Sequence, residues 1–249
     1  MTYFIIIIGL LIGSFLNVCI YRISKEESIV YPLSYCPKCN TTLKSWSLVP
    51  IFSFLLSKRK CRYCRELIPM QYPFIEFLNG IIYLLLYLKY GLSILFVKYA
   101  IITSLLIMIS WIDYKLQIIP DGCNLFGLVI SGVFIIINDF STGSFLNSVI
   151  GFCLGGGIFL LIAIVTNEMG GGDIKLMGIL GFAFGWENIL LITLLSFGIG
   201  AIISVGLLRL KIKNRKDPIA FGPFIAVATG ITILYGREIF QWYILYTFR

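Results

Sequence analysis

Leu92-Ser-Ile-Leu-Phe-Val-Lys-Tyr-Ala-Ile-Ile-Thr-Ser-Leu-Leu-Ile-Met-Ile-Ser-Trp-Ile112 is followed directly by Asp113. A hydrocarbon core takes a helix of about 20 apolar residues, so this run is long enough to span one. An acid at the foot of such a run is costly at membrane depth and marks a functional position by default. Outward from it, the chain is 249 residues long, 59% hydrophobic and only 13% charged. A soluble domain carries about 25% charged residues, so this is an integral membrane chain.

The same reading gives eight apolar segments, at about 3–20, 74–88, 92–112, 122–137, 145–165, 174–186, 188–208 and 219–236. The second and sixth are short and are expected partly inside the bundle. The first, Tyr3 to Ile20, has no basic stretch before it and no small-residue cleavage pattern after it. It is read as a retained helix and not a removable signal peptide. The fold class is therefore an all-α polytopic membrane protein of about eight transmembrane helices.

The net charge of +8 at first suggests nucleic acid, but the placement of the charges opposes that reading. Nine of the twenty Lys and Arg lie between Arg22 and Arg65, and five between Arg209 and Lys216. Clustered basic loops mark the cytoplasmic side of a membrane protein. With the 22–72 loop inside, parity puts the loops 113–121, 166–173 and 209–218 inside as well. Asp113, Asp121 and Asp173 then share the cytoplasmic edge with Lys115 and Lys175.

Cys36-Pro-Lys-Cys39 and Cys61-Arg-Tyr-Cys64 are two Cys-x-x-Cys knuckles separated by 21 residues. Two knuckles supply four thiolates for one tetrahedral zinc. The neighbouring Lys38, Lys60, Arg62 and Arg65 favour the thiolates. Two disulfides are the alternative, which a reducing cytoplasm opposes. Four sulfurs leave no open position, so the zinc is expected to be structural. Cys19, Cys123 and Cys153 lie in apolar segments and read as core residues.

The chain has no histidine, which removes Ser-His and Cys-His catalysis and His-ligated zinc chemistry. Asp173, in Gly170-Gly171-Gly172-Asp173-Ile174-Lys175-Leu176, joins Asp113 as a second acid at the same end of its segment. Two close carboxylates share one proton, because like charges cannot both ionise cheaply. Such a pair can take a proton from water and give one to a carbonyl oxygen. From spacing alone the alternatives are ordinary polar loop ends, pairing with Lys115 or Lys175. Asp121, after Pro120, also reads as a helix cap. Gly170, Gly171 and Gly172 are expected to bend the backbone sharply before Asp173. Glu76, in Tyr72-Pro73-Phe74-Ile75-Glu76, is a third acid entering a helix. The other glycines, among them Gly151, Gly155, Gly178 and Gly181, read as helix-packing positions.

These segments occur in one order along nearly the whole chain. They are Gly13-Ser14-Phe15-Leu16-Asn17-Val18-Cys19-Ile20-Tyr21-Arg22, the two knuckles, Tyr72 to Glu76, Asp113 through Asp121, Gly170 to Leu176, and Phe221-Gly222-Pro223-Phe224. Together they resemble the prepilin peptidases, the type IV prepilin leader peptidases. The resemblance implies an intramembrane aspartic endopeptidase of the Gly-x-Gly-Asp type. Its substrates would be prepilins and pseudopilins of type IV pilus, competence or type II secretion systems. Asp113 and Asp173 match the family's catalytic aspartates, with Asp121, Lys175, Gly170 and Gly172 in support.

Many members also methylate the new N-terminal residue with S-adenosylmethionine, an activity linked to the cysteine-bearing loop that this chain has. Asn17, Arg22 and Glu76 are candidates around that second site. One departure is Tyr31-Pro32-Leu33-Ser34-Tyr35-Cys36, where the family often has Pro-Ser-Arg-Ser before the first knuckle. The resemblance implies a bacterial inner-membrane enzyme with its active site facing the cytoplasm. It divides the chain into a first helix (1–21), a cytoplasmic zinc-binding loop (22–72) and a peptidase bundle (73–249). Two other readings stay open: a peptidase without methylation, and an ion-coupled transporter using the same acids. The sequence leaves monomer and homodimer open, and contains no nucleic-acid motif.

Overall fold

A computed structural model describes residues 1–138, 141–166, 169–212, 214 and 217–247. Part of the second basic cluster, at Lys213, Arg215 and Lys216, lies outside the described residues. So do Asn167 and Glu168 of the loop before Gly170.

The chain is helical, with α1 (Thr2–Ile23), a short α2 (Phe52–Leu56), α3 (Gln71–Tyr90), α4 (Ile94–Leu116), α5 (Asp121–Asn138), α6 (Thr142–Thr166), α7 (Gly171–Arg209) and α8 (Gly222–Thr247). Among the described residues, six of these are long and apolar enough to cross a membrane, and α5 is a shorter apolar helix. The chain divides into two compact units, residues 1–108 and 109–249. The break falls inside α4, whose last two turns belong to the second unit.

The sequence segments 174–186 and 188–208 are the two helical halves of α7, separated by a non-helical residue at Gly185, and both halves return to the same positions on α6: Gly155 faces Met177 and Ile189. Gly185 has φ 79°, a conformation that glycine adopts without steric cost. A kink frees backbone groups that must find partners in an apolar setting. The Trp186 amide donates to Asn147 Oδ1 on α6 at 3.1 Å. Both halves of α7 bury side chains, Leu176, Met177, Leu180 and Ala183 in the first and Ile189, Ile192 and Ser196 in the second. By contrast Leu160, Leu161, Ile164 and Val165 of α6 are exposed, as a lipid-facing surface requires.

Helix packing in the second unit depends on glycine. A Cβ on Gly151 would stand 2.2 Å from the Gly181 carbonyl oxygen, and one on Gly155 2.3 Å from that of Met177. Helices α6 and α7 therefore meet backbone to backbone, the use of small residues expected from sequence.

In the first unit, α1 and α3 pack on the same principle. A Cβ on Gly13 would stand 2.7 Å from the Cα of Glu76, and one on Gly9 2.9 Å from that of Gly80. Buried polar side chains add hydrogen bonds along this unit. Asn79 donates to the Gly9 carbonyl at 2.7 Å and accepts from the Ser104 hydroxyl at 3.0 Å, which also meets the Tyr83 hydroxyl.

Candidate active site and metal centre

Asp113 sits in the last turn of α4, 5% exposed. Its Oδ2 accepts the amide of Gly222 at 2.8 Å. Gly222 opens α8 and is followed by Pro223, a residue suited to the first turn because its missing N–H would be unpaired there. The carboxylate thus caps the positive end of α8, a favourable place for negative charge. The approach needs glycine, because a Cβ at 222 would stand 2.8 Å from Asp113 Oδ2. Ser110 Oγ reaches the Gly222 carbonyl, and Gln117 Nε2 donates to the Pro218 carbonyl at 3.2 Å. Behind Gly222, rings of Phe159, Phe197, Phe221 and Phe224 pack edge-to-face and tilted.

Asp173 lies in the first turn of α7, again at a helix N-terminus. Its amide bonds the Gly170 carbonyl at 3.2 Å. Its Oδ1 is buried with no partner among the described residues. Asp113 and Asp173 both belong to the second unit, and Asp173 lies within reach of the charge of Asp113.

The glycines before Asp173 act differently from the sequence expectation of a sharp bend. Gly170 is extended (φ −70°, ψ 142°), Gly171 and Gly172 are already helical, and none has positive φ. Close approach explains Gly172, whereas Gly170 has room for an ordinary contact. A Cβ on Gly172 would stand 2.8 Å from that of Ile119, and one on Gly170 3.4 Å from Asp173 Oδ2.

Asp121 and Lys175 pair at 2.7 Å, tying the first turn of α5 to that of α7. Both side chains are largely exposed, so the bond contributes register more than stability. Asp121 is thereby engaged apart from the carboxylate pair. Sequence reading gave no role to the Gly222 amide. The signal available was the Gly-Pro step after Phe221, which reads as a helix start.

The four cysteines converge in the first unit. Their sulfurs all lie within 4.8 Å of one another, and Cys36 and Cys64 are 3.9 Å apart. A tetrahedral metal with bonds of about 2.3 Å needs sulfurs about 3.8 Å apart, so the cluster could hold a metal ion.

The two knuckles repeat one another at a 25-residue offset. The bridges Tyr35 to Thr42 and Lys60 to Leu67 correspond. The Cys36 amide bonds the Thr41 carbonyl as the Cys61 amide bonds that of Glu66. Asn40 and Arg65 occupy the same left-handed turn, with φ 51° and 59°. Hydrogen bonds from the Thr41 side chain and backbone bring Cys39 down to about 6. Amides of Cys64 and Tyr63 lower Cys61. The Glu66 amide also pulls Cys64 down, but burial and proton-sharing with the other sulfurs carry it up to about 11. Four sulfurs this close cannot all be thiolates without a cation among them.

Asn17, Arg22 and Glu76 anchor the chain around this cluster. Asn17 donates to the carbonyls of Gly13 and Tyr72 at 3.3 and 3.1 Å. Arg22, 3% exposed, donates from both terminal nitrogens to the carbonyls of Ser28, Ile29, Pro32 and Leu33. Glu76 Oε2 accepts the amide of Ile51 at 2.7 Å. Ile51 has φ 58°, an outlier for a β-branched residue, so the buried carboxylate holds a strained turn.

A polytopic helical bundle with a paired-acid centre and a four-cysteine loop is the class these features define. Residues 7–90 match the bacterial peptidase A24 N-terminal domain, and residues 100–205 the type IV leader peptidase family. A prepilin leader peptidase/N-methyltransferase of Pseudomonas putida is 30% identical, over 94% of this chain and 90% of its own. The protein of that name from Bacillus subtilis is 31% identical over 96% of both chains, and that from Pseudomonas aeruginosa 30% identical over 96% and 92%. The chain belongs to the type IV leader peptidase family. No solved structure matches it.

Proposed function

We propose that the protein cleaves the short basic leader of prepilins or pseudopilins at the cytoplasmic edge of the inner membrane, then methylates the new N-terminus. The observation that carries the peptidase reading is that Asp173 lies within reach of the charge of Asp113 in the second unit. The names of the relatives support both activities.

Asp113 and Asp173 are the catalytic pair and share one proton. The ionised carboxylate takes a proton from water as it attacks the scissile carbonyl, and the protonated one donates to the carbonyl oxygen. Collapse of the tetrahedral intermediate passes a proton to the leaving amine and restores the pair. The Gly222 amide fixes the Asp113 carboxylate. Asp121, Lys175, Gly170 and Gly172 set the register of α5 and α7 around Asp173.

The basic loop and the positive-inside rule support a cytoplasmic position for this edge. A leader rich in Lys and Arg stays there while the apolar segment behind it enters the bilayer, which brings the scissile bond to the acids. Residues 22–72 form the methylation-associated loop and residues 73–249 the peptidase bundle.

Cys36, Cys39, Cys61 and Cys64 would hold a structural zinc, which locks the two knuckles together. S-adenosylmethionine would supply the methyl group for the new terminal amine. Asn17, Arg22 and Glu76 support methylation by shaping the loop, their polar groups being engaged by backbone. Co-expression with a prepilin tests both activities. Mass spectrometry of the pilin N-terminus should show loss of the leader and the gain of one methyl group. A shortened but unmethylated pilin would leave a peptidase alone, and an uncut pilin would remove the proposal.

A further inference from the structure

Asn124 is 4% exposed, and neither its Nδ2 nor its Oδ1 has a hydrogen-bond partner among the described residues. Several other interior polar side chains of the second unit are paired. Ser131 donates to the Gly127 carbonyl, Asn188 to that of Phe184, and Thr193 to that of Ile189. A buried amide with two orphaned atoms is destabilising and calls for an explanation.

Its place suggests one. Cys123, Asn124, Ser131 and Phe134 make the buried face of α5, which packs on α7. The bond between Asp121 and Lys175 and the approach of Gly172 to Ile119 set the two helices running the same way from one end. Along that seam Asn124 lies level with about Met177, four residues and so about 6 Å beyond Asp173. Asp173 Oδ1 is orphaned at the same end.

We infer that the Asn124 side chain pairs with the peptide backbone of the substrate, one to two residues past the scissile bond on its mature side. An extended chain advances about 3.3 Å per residue, which matches the step from Asp173 to Asn124. To be cut, a membrane helix must unwind at the cleavage point, and its freed amide and carbonyl then need partners in a dry site. A carboxamide is a donor and an acceptor side by side, the complement of a peptide group. The pairing satisfies Asn124 and holds the scissile carbonyl against the acids. This inference rests on the peptidase reading.

The test uses the purified full-length protein with a prepilin segment, and with the same segment carrying an ester in place of the amide one or two residues after the scissile bond. Wild type should cleave the ester-bearing segment about tenfold more slowly, the loss of one hydrogen bond. Asn124→Leu should lower kcat/KM on the amide substrate about tenfold, keep or raise the thermal midpoint, and no longer distinguish ester from amide. Equal ester penalties in wild type and variant, or a lower midpoint with unchanged cleavage by the folded fraction, would overturn the inference. Asn124→Ser provides the same comparison if the leucine variant does not insert. Failure of wild type to cut either substrate would sink the peptidase reading itself.

Discussion

The Asp113 carboxylate accepts the Gly222 amide at 2.8 Å across 109 residues of chain. The contact joins the end of one helix to the start of another and leaves no room for a Cβ. Gly222→Ala should therefore displace the carboxylate while the protein still inserts. A misplacement on the ångström scale costs about a hundredfold in rate, so leader cleavage should fall by that order. Full activity in this variant would show that the contact does not position Asp113.

The α6–α7 crossing offers a test of packing separate from chemistry. Gly151→Val adds a branched side chain where a Cβ already lies 2.2 Å from the Gly181 oxygen. Overpacking of this kind costs about 1–3 kcal/mol, and more where backbone cannot move. Thermal unfolding in detergent should show a lower midpoint, whereas the same change at Gly157, which has open space, should not.

Removing Cys36 or Cys61 should release the metal and loosen the knuckles without touching the acids. Thiolate ligands bind metal in exchange for protons, so metal should be retained at pH 8 and lost as the pH falls toward 5. Elemental analysis under reducing conditions checks both statements. Protein that is metal-free at pH 8 would contradict the assignment.

Glu76→Gln should weaken the bond that holds the strained Ile51 turn. A hydrogen bond to a charged group is worth about 1.5–3 kcal/mol. The nearby Lys58 and Arg59, both at positive φ, should become more open to trypsin. Limited proteolysis that is unchanged from wild type would assign Glu76 another role.

Much of this architecture was legible because lipid forces a simple code: apolar length gives helices, basic loops give sides, and an acid in either is conspicuous. Asp113, Asp173 and the four cysteines stood out in that way. The break at Gly185 was legible as the gap between segments 174–186 and 188–208, but its repair by Asn147 was not, because that partner comes from another helix. Gly170 to Gly172 were read as a bend, since sequence does not distinguish a glycine needed for φ from one needed for closeness to Ile119. Asn124 was invisible, because an asparagine in an apolar run is remarkable only once its missing partners are known.

The most direct measurement is leader cleavage by Asp113→Asn and Asp173→Asn proteins, inserted at wild-type levels and supplied with a prepilin. A shared-proton pair predicts that each single change abolishes cleavage, with methylation of a pre-cut pilin retained. Normal processing by either variant would contradict the account.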